Sequence, residues 1–216
     1  MPIWQSIFLQ NSSSPSMESL NFFHDHCMGI LILILLVSGG MAFTPLKSDH
    51  FSRFFEENEE MEIFWSTLPS IILIIIAIPS LKILYLLEET PNSNISLKII
   101  GSQWYWSYQM NESTKFDSFL EKGDFRLLST SNFLYLPFKE NIRVLISSTD
   151  VIHSWTLPSL GVKADAVPGR MNQLFFLSQQ SGTLFGQCSE ICGAKHSFMP
   201  ISTFFAPMKS FEGQNF

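Results

Sequence analysis

Two long stretches near the beginning of the chain consist almost entirely of apolar residues. Residues 27–46 form a run of twenty without a charge, and residues 63–81 form a second run of nineteen. At a rise of about 1.5 Å per residue, a helix over either run would cross the roughly 30 Å hydrocarbon layer of a membrane. Helices buried in a soluble core are the alternative, but those usually carry a polar face, and the segments LILILLV and IILIIIAI carry none. The pattern predicts a transmembrane helix hairpin with spans of about 24–46 and 63–87.

The pattern changes after a polar linker at residues 90–96. Short apolar runs now follow at strand-sized intervals, separated by Gly, Pro, Asn and Asp. The runs are residues 97–100, 126–128, 142–146 and 171–177. The sequence therefore predicts two parts. Residues 1–90 form an N-terminal segment with the helix hairpin, and residues 91–216 form an all-β domain that is large enough for one hydrophobic core.

Composition and charge narrow the function classes. Of the 216 residues, 46% are hydrophobic and 15% charged, which is too apolar for a disordered chain. The net charge of −6 gives no reason to expect nucleic-acid binding. The first 90 residues hold 3 bases and 10 acids, a charge of −7, whereas the remaining residues hold 10 bases and 9 acids, a charge of +1. The nearly balanced charge suits a β domain that faces water.

The distribution of basic residues also bears on topology. The first 21 residues contain neither Lys nor Arg, so we expect no cleaved targeting segment. Two spans return the chain to its starting side, which places the N-terminus and the β domain together. The loop between the spans holds two bases and the segment before the first span holds none, which favours an inside position for the loop.

The residues that carry chemistry are concentrated in the segment GQCSEICGAKHSFMP at residues 186–200. Its candidate metal ligands are Cys188, Cys192, His196 and Met199. Cysteine and methionine are soft donors that suit copper, and a weak axial Met is typical of copper sites that transfer electrons. A second imidazole is available at His153, after the strand-like run at 142–146.

The number of donors bears on how many metal ions fit. A blue-copper centre uses one Cys, two His and an axial Met, whereas a second Cys allows two copper ions to share both sulfurs as bridges. Each copper ion would then take one imidazole. The weak axial positions would fall to the sulfur of Met199 and to a backbone carbonyl near Glu190. Two alternatives stay open, a disulfide between Cys188 and Cys192 and a zinc site with two Cys and two His.

Taken together, these features resemble subunit II of the haem-copper cytochrome c oxidases, in the short mitochondrial form, along essentially the whole chain. Besides the hairpin, the matching segments are QWYWSY at 103–108, DVIHSW at 150–155, VPGR at 167–170 and the loop at 188–200. The resemblance implies a cupredoxin-like Greek-key barrel after the two-helix transmembrane hairpin, with a binuclear copper centre, CuA. The implied ligands are His153, Cys188, Glu190, Cys192, His196 and Met199. It also implies that the Glu190 side chain binds a magnesium ion shared with subunit I.

The same resemblance implies partners, a path for electrons and a location. Reduced cytochrome c would dock over the aromatic run, with Trp104 receiving the electron and Asp150 as a docking acid. The electron would continue through CuA to haem a in subunit I, where oxygen is reduced to water and protons are pumped; this chain alone has no oxygen-reducing site. Glu62 matches the position at the mouth of a proton path into subunit I, although an acid in an acidic run is also typical of a solvated surface. The implied location is the mitochondrial inner membrane, with the N-terminus and the CuA domain in the intermembrane space.

The sequence also departs from the family pattern. Ser102 and Gln109 stand where the family usually has His and Glu, and the acid-rich stretch after them is shortened, which predicts a less acidic docking face.

Three other classes of protein share part of this pattern. A membrane-tethered copper chaperone of the CxxxC type would have a single anchor, a thioredoxin-like pattern and no His-x-x-Met after its second Cys. A copper-free quinol oxidase subunit would lack the ligands. A structural membrane protein with a disulfide stays open, and metal content would distinguish it.

Overall fold

The computed structural model describes residues 8–47, 57–93, 95–110 and 114–209, and these form two α-helices followed by ten β-strands. The chain divides into two compact units. One holds residues 19–86, and the other holds the N-terminal residues up to Glu18 together with residues 87 onwards.

The two helices are α1, Pro15–Lys47, and α2, Glu59–Glu88. By length and composition, both are long and apolar enough to cross a membrane. Their large apolar side chains are mostly exposed, as expected for surfaces that face lipid or other membrane helices. Together they cover the predicted spans at 24–46 and 63–87.

Polar capping residues explain why each helix begins before its apolar run. The Ser14 hydroxyl accepts a hydrogen bond of 3.0 Å from the backbone N–H of Met17. The side-chain oxygen of Asn58 accepts one of 3.2 Å from the backbone N–H of Met61. Each bond satisfies an N–H group that has no partner inside the first helical turn.

The remaining elements are short strands. They are β1 (Ile95–Ser102), β2 (Tyr105–Gln109), β3 (Lys115–Ser118), β4 (Leu134–Pro137), β5 (Asn141–Ser148), β6 (His153–Leu157), β7 (Val162–Ala166), β8 (Asn172–Leu177), β9 (Gly182–Gln187) and β10 (Pro200–Ala206). A five-stranded sheet has the order β3-β2-β1-β5-β8, a three-stranded sheet has the order β4-β10-β9, and β6 pairs with β7. The β1–β5 and β4–β10 pairs are parallel and the other pairs are antiparallel. The predicted all-β domain after two long helices is confirmed.

The core lies between these sheets and follows the period of two expected for half-buried strands. In β5, Ile142, Val144 and Ile146 are fully buried, while the residues between them are partly exposed. The largest buried side chains are Trp106 in β2 and Trp155 in β6. Packing of these side chains therefore fixes β2 and β6. Several residues of the candidate site lie at or next to the ends of β1, β2 and β6.

One predicted strand is wrong. Residues 126–128 form a turn, in which the Phe125 carbonyl accepts hydrogen bonds from the N–H groups of Leu128 and Ser129. Leu127 has a positive φ of 62°, which a strand does not permit. The apolar run was too short to distinguish a strand from a turn. The predicted runs at 97–100, 142–146 and 171–177 coincide with β1, β5 and β8.

The segment before α1 is hydrogen-bonded to the β domain, an arrangement that the sequence pattern did not indicate. The N–H of Ser13 donates to the Ser159 carbonyl, and the Ser13 carbonyl accepts from the N–H of Gln179, both at 2.8 Å. The Ser14 hydroxyl donates to the Leu160 carbonyl at 2.6 Å. These bonds connect the start of α1 to the β domain.

Candidate metal centre

The loop between β9 and β10 brings two thiols together without a bond between them. Cys188 and Cys192 are free cysteines whose sulfurs lie 4.0 Å apart. A disulfide bond is about 2.0 Å long, so these sulfurs are not bonded. Both side chains are buried. The pair therefore offers two adjacent, buried sulfur donors.

Backbone contacts hold this loop in place. The N–H of Ser189 donates to the Ser154 carbonyl in β6 at 3.1 Å. At Gly186, a side-chain carbon would lie 1.9 Å from the Thr156 carbonyl oxygen, so only glycine allows β9 to approach β6 this closely. The N–H of His196 donates to the Gly193 carbonyl at 3.1 Å and begins the short 3-10 helix His196–Phe198.

The imidazole of His153 faces the two thiols. His153 is the first residue of β6 and is fully buried, and its ligand atom lies within 4.8 Å of both cysteine sulfurs. Gly101 in β1 makes room for the ring, because a side-chain carbon there would lie 3.0–3.1 Å from His153 carbon atoms. Among the described residues, this is the cluster of three His, Cys, Asp or Glu side chains that can hold a metal ion.

The two nitrogens of His153 have different surroundings. Nε2 lies 2.9 Å from Oδ1 of Asp150, and an ionised carboxylate has no proton to donate, so Nε2 carries the N–H and donates the hydrogen bond. Nδ1 is buried and has no hydrogen-bond partner in the described part of the chain. Leaving such an atom unpaired is costly, and a metal ion would satisfy it. This donor set therefore fits a metal ligated by sulfur and nitrogen.

Two further donors approach Cys192 from the C-terminal end of the loop. Nδ1 of His196 and the sulfur of Met199 each lie 3.5 Å from the Cys192 sulfur. Met199 is buried and His196 is half-buried. On the other side, the Glu190 carbonyl oxygen lies 3.4 Å from the Cys188 sulfur. One imidazole and one weak donor thus lie beside each end of the thiol pair, with His153 contributed by β6 and the other three donors by the loop.

The thiols and their neighbours differ in proton affinity. Burial by itself would raise the pKa of Cys188, but the neighbouring His153 ring and the backbone at Glu190 and Ser154 together lower it to about 7. Burial raises the pKa of Cys192 to about 12, and the negative charge of Cys188 adds to this effect. The first proton therefore leaves Cys188. Binding of a metal ion to both sulfurs must displace the second proton from Cys192.

The charge on Asp150 is favoured by its hydrogen bonds. Burial alone would raise the pKa of this carboxyl group, but His153 and the N–H groups of Val151 and Gln103 lower it. Burial likewise opposes a charge on His153, while Cys188 and Asp150 raise the pKa of its ring.

The aromatic residue Trp104 lies against the same loop. Gln103 and Trp104 form the turn between β1 and β2, which are paired up to Ser102 and Tyr105. A side-chain carbon at Gly193 would lie 3.3 Å from a carbon of the Trp104 ring, so the ring packs on this glycine. The Gln103 side-chain amide donates to the Cys192 carbonyl at 2.9 Å. Sequence reasoning assigned no role to Gln103 or Gly101, because their contacts depend on strand pairing.

The other predicted site residues lie elsewhere or have additional contacts. The side chain of Asp150 is 32% exposed and is within hydrogen-bond distance of His153. Glu62 is in the first turn of α2, where its carbonyl accepts a hydrogen bond from the Ser66 hydroxyl. The Glu190 side chain is half-buried and is not part of the three-residue cluster. The shortened acidic stretch is residues 112–116, and its first two residues lie outside the described residues.

The β-sandwich and the thiol–imidazole–thioether set define a membrane-anchored metal-binding protein with a cupredoxin-like domain. Comparison with family models gives two matches, which lie next to each other along the chain. Residues 2–83 match cytochrome c oxidase subunit II, transmembrane domain, and residues 95–204 match cytochrome c oxidase subunit II, periplasmic domain. The chain belongs to the cytochrome c oxidase subunit II family.

Similar proteins agree with this assignment. Cytochrome c oxidase subunit 2 of Rhipicephalus sanguineus is 51% identical over 218 residues, covering 98% of this chain and 97% of the relative. The same subunit of Aedes aegypti is 50% identical over 219 residues, covering 98% and 96%. The crystal structure of the periplasmic domain of subunit II of cytochrome oxidase from Bradyrhizobium japonicum is 40% identical with a TM-score of 0.56, covering 57% of this chain and 92% of that one.

These findings confirm the predicted class. The chain is a membrane protein and the electron-accepting subunit of a cytochrome c oxidase, and it is therefore part of an oxidoreductase. The cupredoxin-like fold is confirmed by the similar periplasmic domain. No comparison supports the copper-chaperone alternative.

Proposed function

We propose that this subunit accepts electrons from reduced cytochrome c at Trp104 and passes them through a CuA centre held by the β9–β10 loop and β6. The proposed ligands are His153, Cys188, Glu190 through its carbonyl, Cys192, His196 and Met199. The observation that carries this proposal is the unpaired, buried Nδ1 of His153 within 4.8 Å of two unbonded thiols. When bound, the copper pair would supply a one-electron carrier.

Three features prepare these residues for copper. Asp150 holds the proton of His153 on Nε2, which leaves Nδ1 as the ligand atom. The low pKa of Cys188, about 7, favours a thiolate there near neutral pH. Burial of Met199 keeps its thioether away from water and beside Cys192. The donor set is soft, and a zinc site would have no use for the thioether.

The proposed role of Trp104 rests on its contact with Gly193 and on the hydrogen bond of its neighbour Gln103 to the loop. Its ring is half-buried against Gly193, one residue from the proposed ligand Cys192. Through its neighbour Gln103 it is connected to the Cys192 carbonyl by one hydrogen bond. A short path of bonds and contacts from the surface to the ligand loop is what rapid electron transfer needs. Cytochrome c is the proposed donor, with Asp150 as an acid beside the docking face.

The remaining proposed roles involve the other subunits of the oxidase complex and the membrane. We assign subunit I and other oxidase subunits as partners, together with the lipid bilayer. The Glu190 carboxylate is the proposed ligand of a magnesium ion shared with subunit I, since Mg²⁺ prefers oxygen ligands and often takes only one or two carboxylates from a protein. Glu62 is assigned to the mouth of a proton path. The relatives from ticks and mosquitoes support a mitochondrial inner-membrane location, with the N-terminus and the β domain in the intermembrane space.

Spin resonance on the purified oxidase complex tests the copper assignment. We expect the wild-type signal to show hyperfine coupling to two copper nuclei, and His153→Ala to lose or strongly alter that signal. Ser189→Ala is the matched control in the same loop, because its hydroxyl contacts the Gln187 carbonyl and none of the proposed ligands. Coupling to a single copper nucleus in the wild type, or an unchanged signal in His153→Ala, would overturn the proposal.

A further inference from the structure

A lysine lies over the proposed electron acceptor. Nζ of Lys195 is 5.7 Å from the centroid of the Trp104 ring, a distance at which a cation is attracted to an aromatic face. Lys195 itself is exposed. The contact places a positive charge at the surface directly beside the ring through which the electron would enter.

The loop backbone keeps this lysine near the ring. Gly193, two residues before Lys195, has a positive φ of 119° and packs against Trp104. The Lys195 carbonyl accepts a hydrogen bond of 2.9 Å from the N–H of Phe198 in the short 3-10 helix. These contacts hold the backbone on either side of Lys195.

Asp150 is connected to the Trp104 turn through the N–H of Gln103, and its charge is already shared among several donors. Its Oδ2 accepts from the N–H of Gln103 at 2.7 Å, and its Oδ1 accepts from the N–H of Val151 at 2.6 Å and faces His153 at 2.9 Å. The Lys195 ammonium has no ion pair with a carboxylate in the described part of the chain. An approaching protein would therefore meet an uncompensated positive charge over Trp104.

We propose that Lys195 is a specificity-determining residue that opposes partners with a strongly basic surface over Trp104 and favours partners with a neutral or acidic group there. The inference rests on the proposed function, in which Trp104 accepts the electron. Like charges brought together at an interface slow association, and the effect weakens as salt is added. The expected effect is on the rate of docking and not on copper binding, because Lys195 is not one of the proposed ligands.

Stopped-flow reduction of the purified oxidase complex by cytochrome c tests this role. For Lys195→Met, which keeps a long side chain without the charge, we expect the second-order rate at low ionic strength to rise about two- to fivefold, and this gain to shrink as salt is added. Lys139→Met is the matched control. Lys139 is exposed and lies 5.4 Å from the Phe138 ring, so this variant loses the same charge and the same kind of contact away from Trp104.

The possible outcomes distinguish the role of Lys195 from the proposed entry of electrons at Trp104. An unchanged or slower rate in Lys195→Met, or an equal gain in Lys139→Met, would overturn the role of Lys195. A gain that does not shrink with salt would also overturn it, because it would indicate packing rather than charge. A Trp104→Phe variant tests the proposed function separately, since an undiminished rate there would show that electrons enter elsewhere.

Discussion

Asp150 and His153 form a hydrogen-bonded pair in which Oδ1 of the carboxylate lies 2.9 Å from Nε2 of a fully buried imidazole. The carboxylate is fixed in turn by the backbone N–H groups of Gln103 and Val151. Gln103 precedes Trp104 in the turn between β1 and β2. The Asp150 side chain therefore connects this turn with the His153 ring, which faces the thiols. The sequence indicated Asp150 only as an acid on the docking surface. The structure adds an orienting contact to a proposed ligand.

This pair predicts that Asp150→Asn impairs copper binding as well as docking. An amide lacks the negative charge that holds the Nε2 proton, so we expect about a 10- to 100-fold loss of copper affinity. Copper retained by the purified complex under graded chelator measures the effect. Asp124→Asn is the control, since Asp124 is exposed and lies far along the chain from the loop. Copper retention equal to wild type would leave Asp150 with a docking role alone.

Gly101→Ala is predicted to displace the His153 ring. The added carbon would lie 3.0–3.1 Å from ring and Cβ atoms of His153, and the ring is confined by Trp106, whose centroid is 5.9 Å away. Because the ring cannot retreat freely, we expect a changed copper spin-resonance spectrum and a loss of about 1–3 kcal/mol in the free energy of unfolding. Ser96→Ala on the same strand is exposed and serves as the control. A spectrum identical to wild type would mean that the pocket has room to adjust.

Sequence reasoning succeeded where the pattern is local. A charge-free run of twenty residues without a polar face predicts a membrane helix, and Cys188, Cys192 and His196 follow one another at intervals of four within a single loop. His153 is 35 residues before Cys188, and it became a candidate ligand because the loop already offered the other donors; the family resemblance then implied the same assignment. Close approaches such as that of Gly101 to His153 arise only when β1 and β6 are packed together, so no sequence pattern predicts them.

The wrong strand prediction also has a physical origin. Residues 126–128 were predicted as a strand from three residues, but local hydrogen bonds to the Phe125 carbonyl produce a turn. The capping residues Ser14 and Asn58 are polar and lie outside the apolar runs, so these runs predict membrane spans but not the residues at which the helices begin. Short polar segments are decided by individual hydrogen bonds rather than by hydropathy.

Ser14→Ala is predicted to loosen the connection between the start of α1 and the β domain. The hydroxyl is fully buried, accepts from Met17 and donates to Leu160, so its removal costs a helix cap and a buried hydrogen bond. We expect a local destabilisation of about 1–2 kcal/mol, which corresponds to amide hydrogen exchange about 5- to 30-fold faster over residues 13–18. Ser12→Ala, at a half-buried position, is the control. Exchange rates equal in the two variants would contradict this prediction.

Tyr108 is predicted to make the β domain sensitive to alkali. Its phenol is fully buried, and burial raises its pKa above the ordinary value. Above about pH 10 the unfolded chain loses this proton while the folded chain keeps it, so the free energy of unfolding falls as pH rises. By pH 11 this amounts to about 1.4 kcal/mol, and we expect Tyr108→Phe to abolish that share of the loss. Denaturant unfolding of the full chain in detergent, followed by tryptophan fluorescence, measures it; Tyr85→Phe, on the exposed surface of α2, is the control and should retain the loss.

The docking face around the β1–β2 turn is predicted to respond weakly to salt. Ser102 is hydrogen-bonded to Thr149 at 2.8 Å, and Gln109 is paired with the exposed Lys115 across β2 and β3, so neither position adds a negative charge. Fewer acids facing a basic cytochrome c give less attraction for salt to screen. Between about 0.02 and 0.2 M salt, we expect the second-order rate of reduction to fall about half as steeply, on a logarithmic scale, as in a relative with the full acidic cluster. The measurement compares the two wild-type complexes with the same cytochrome c. An equal or steeper dependence in this protein would show that acids elsewhere on its surface direct the encounter.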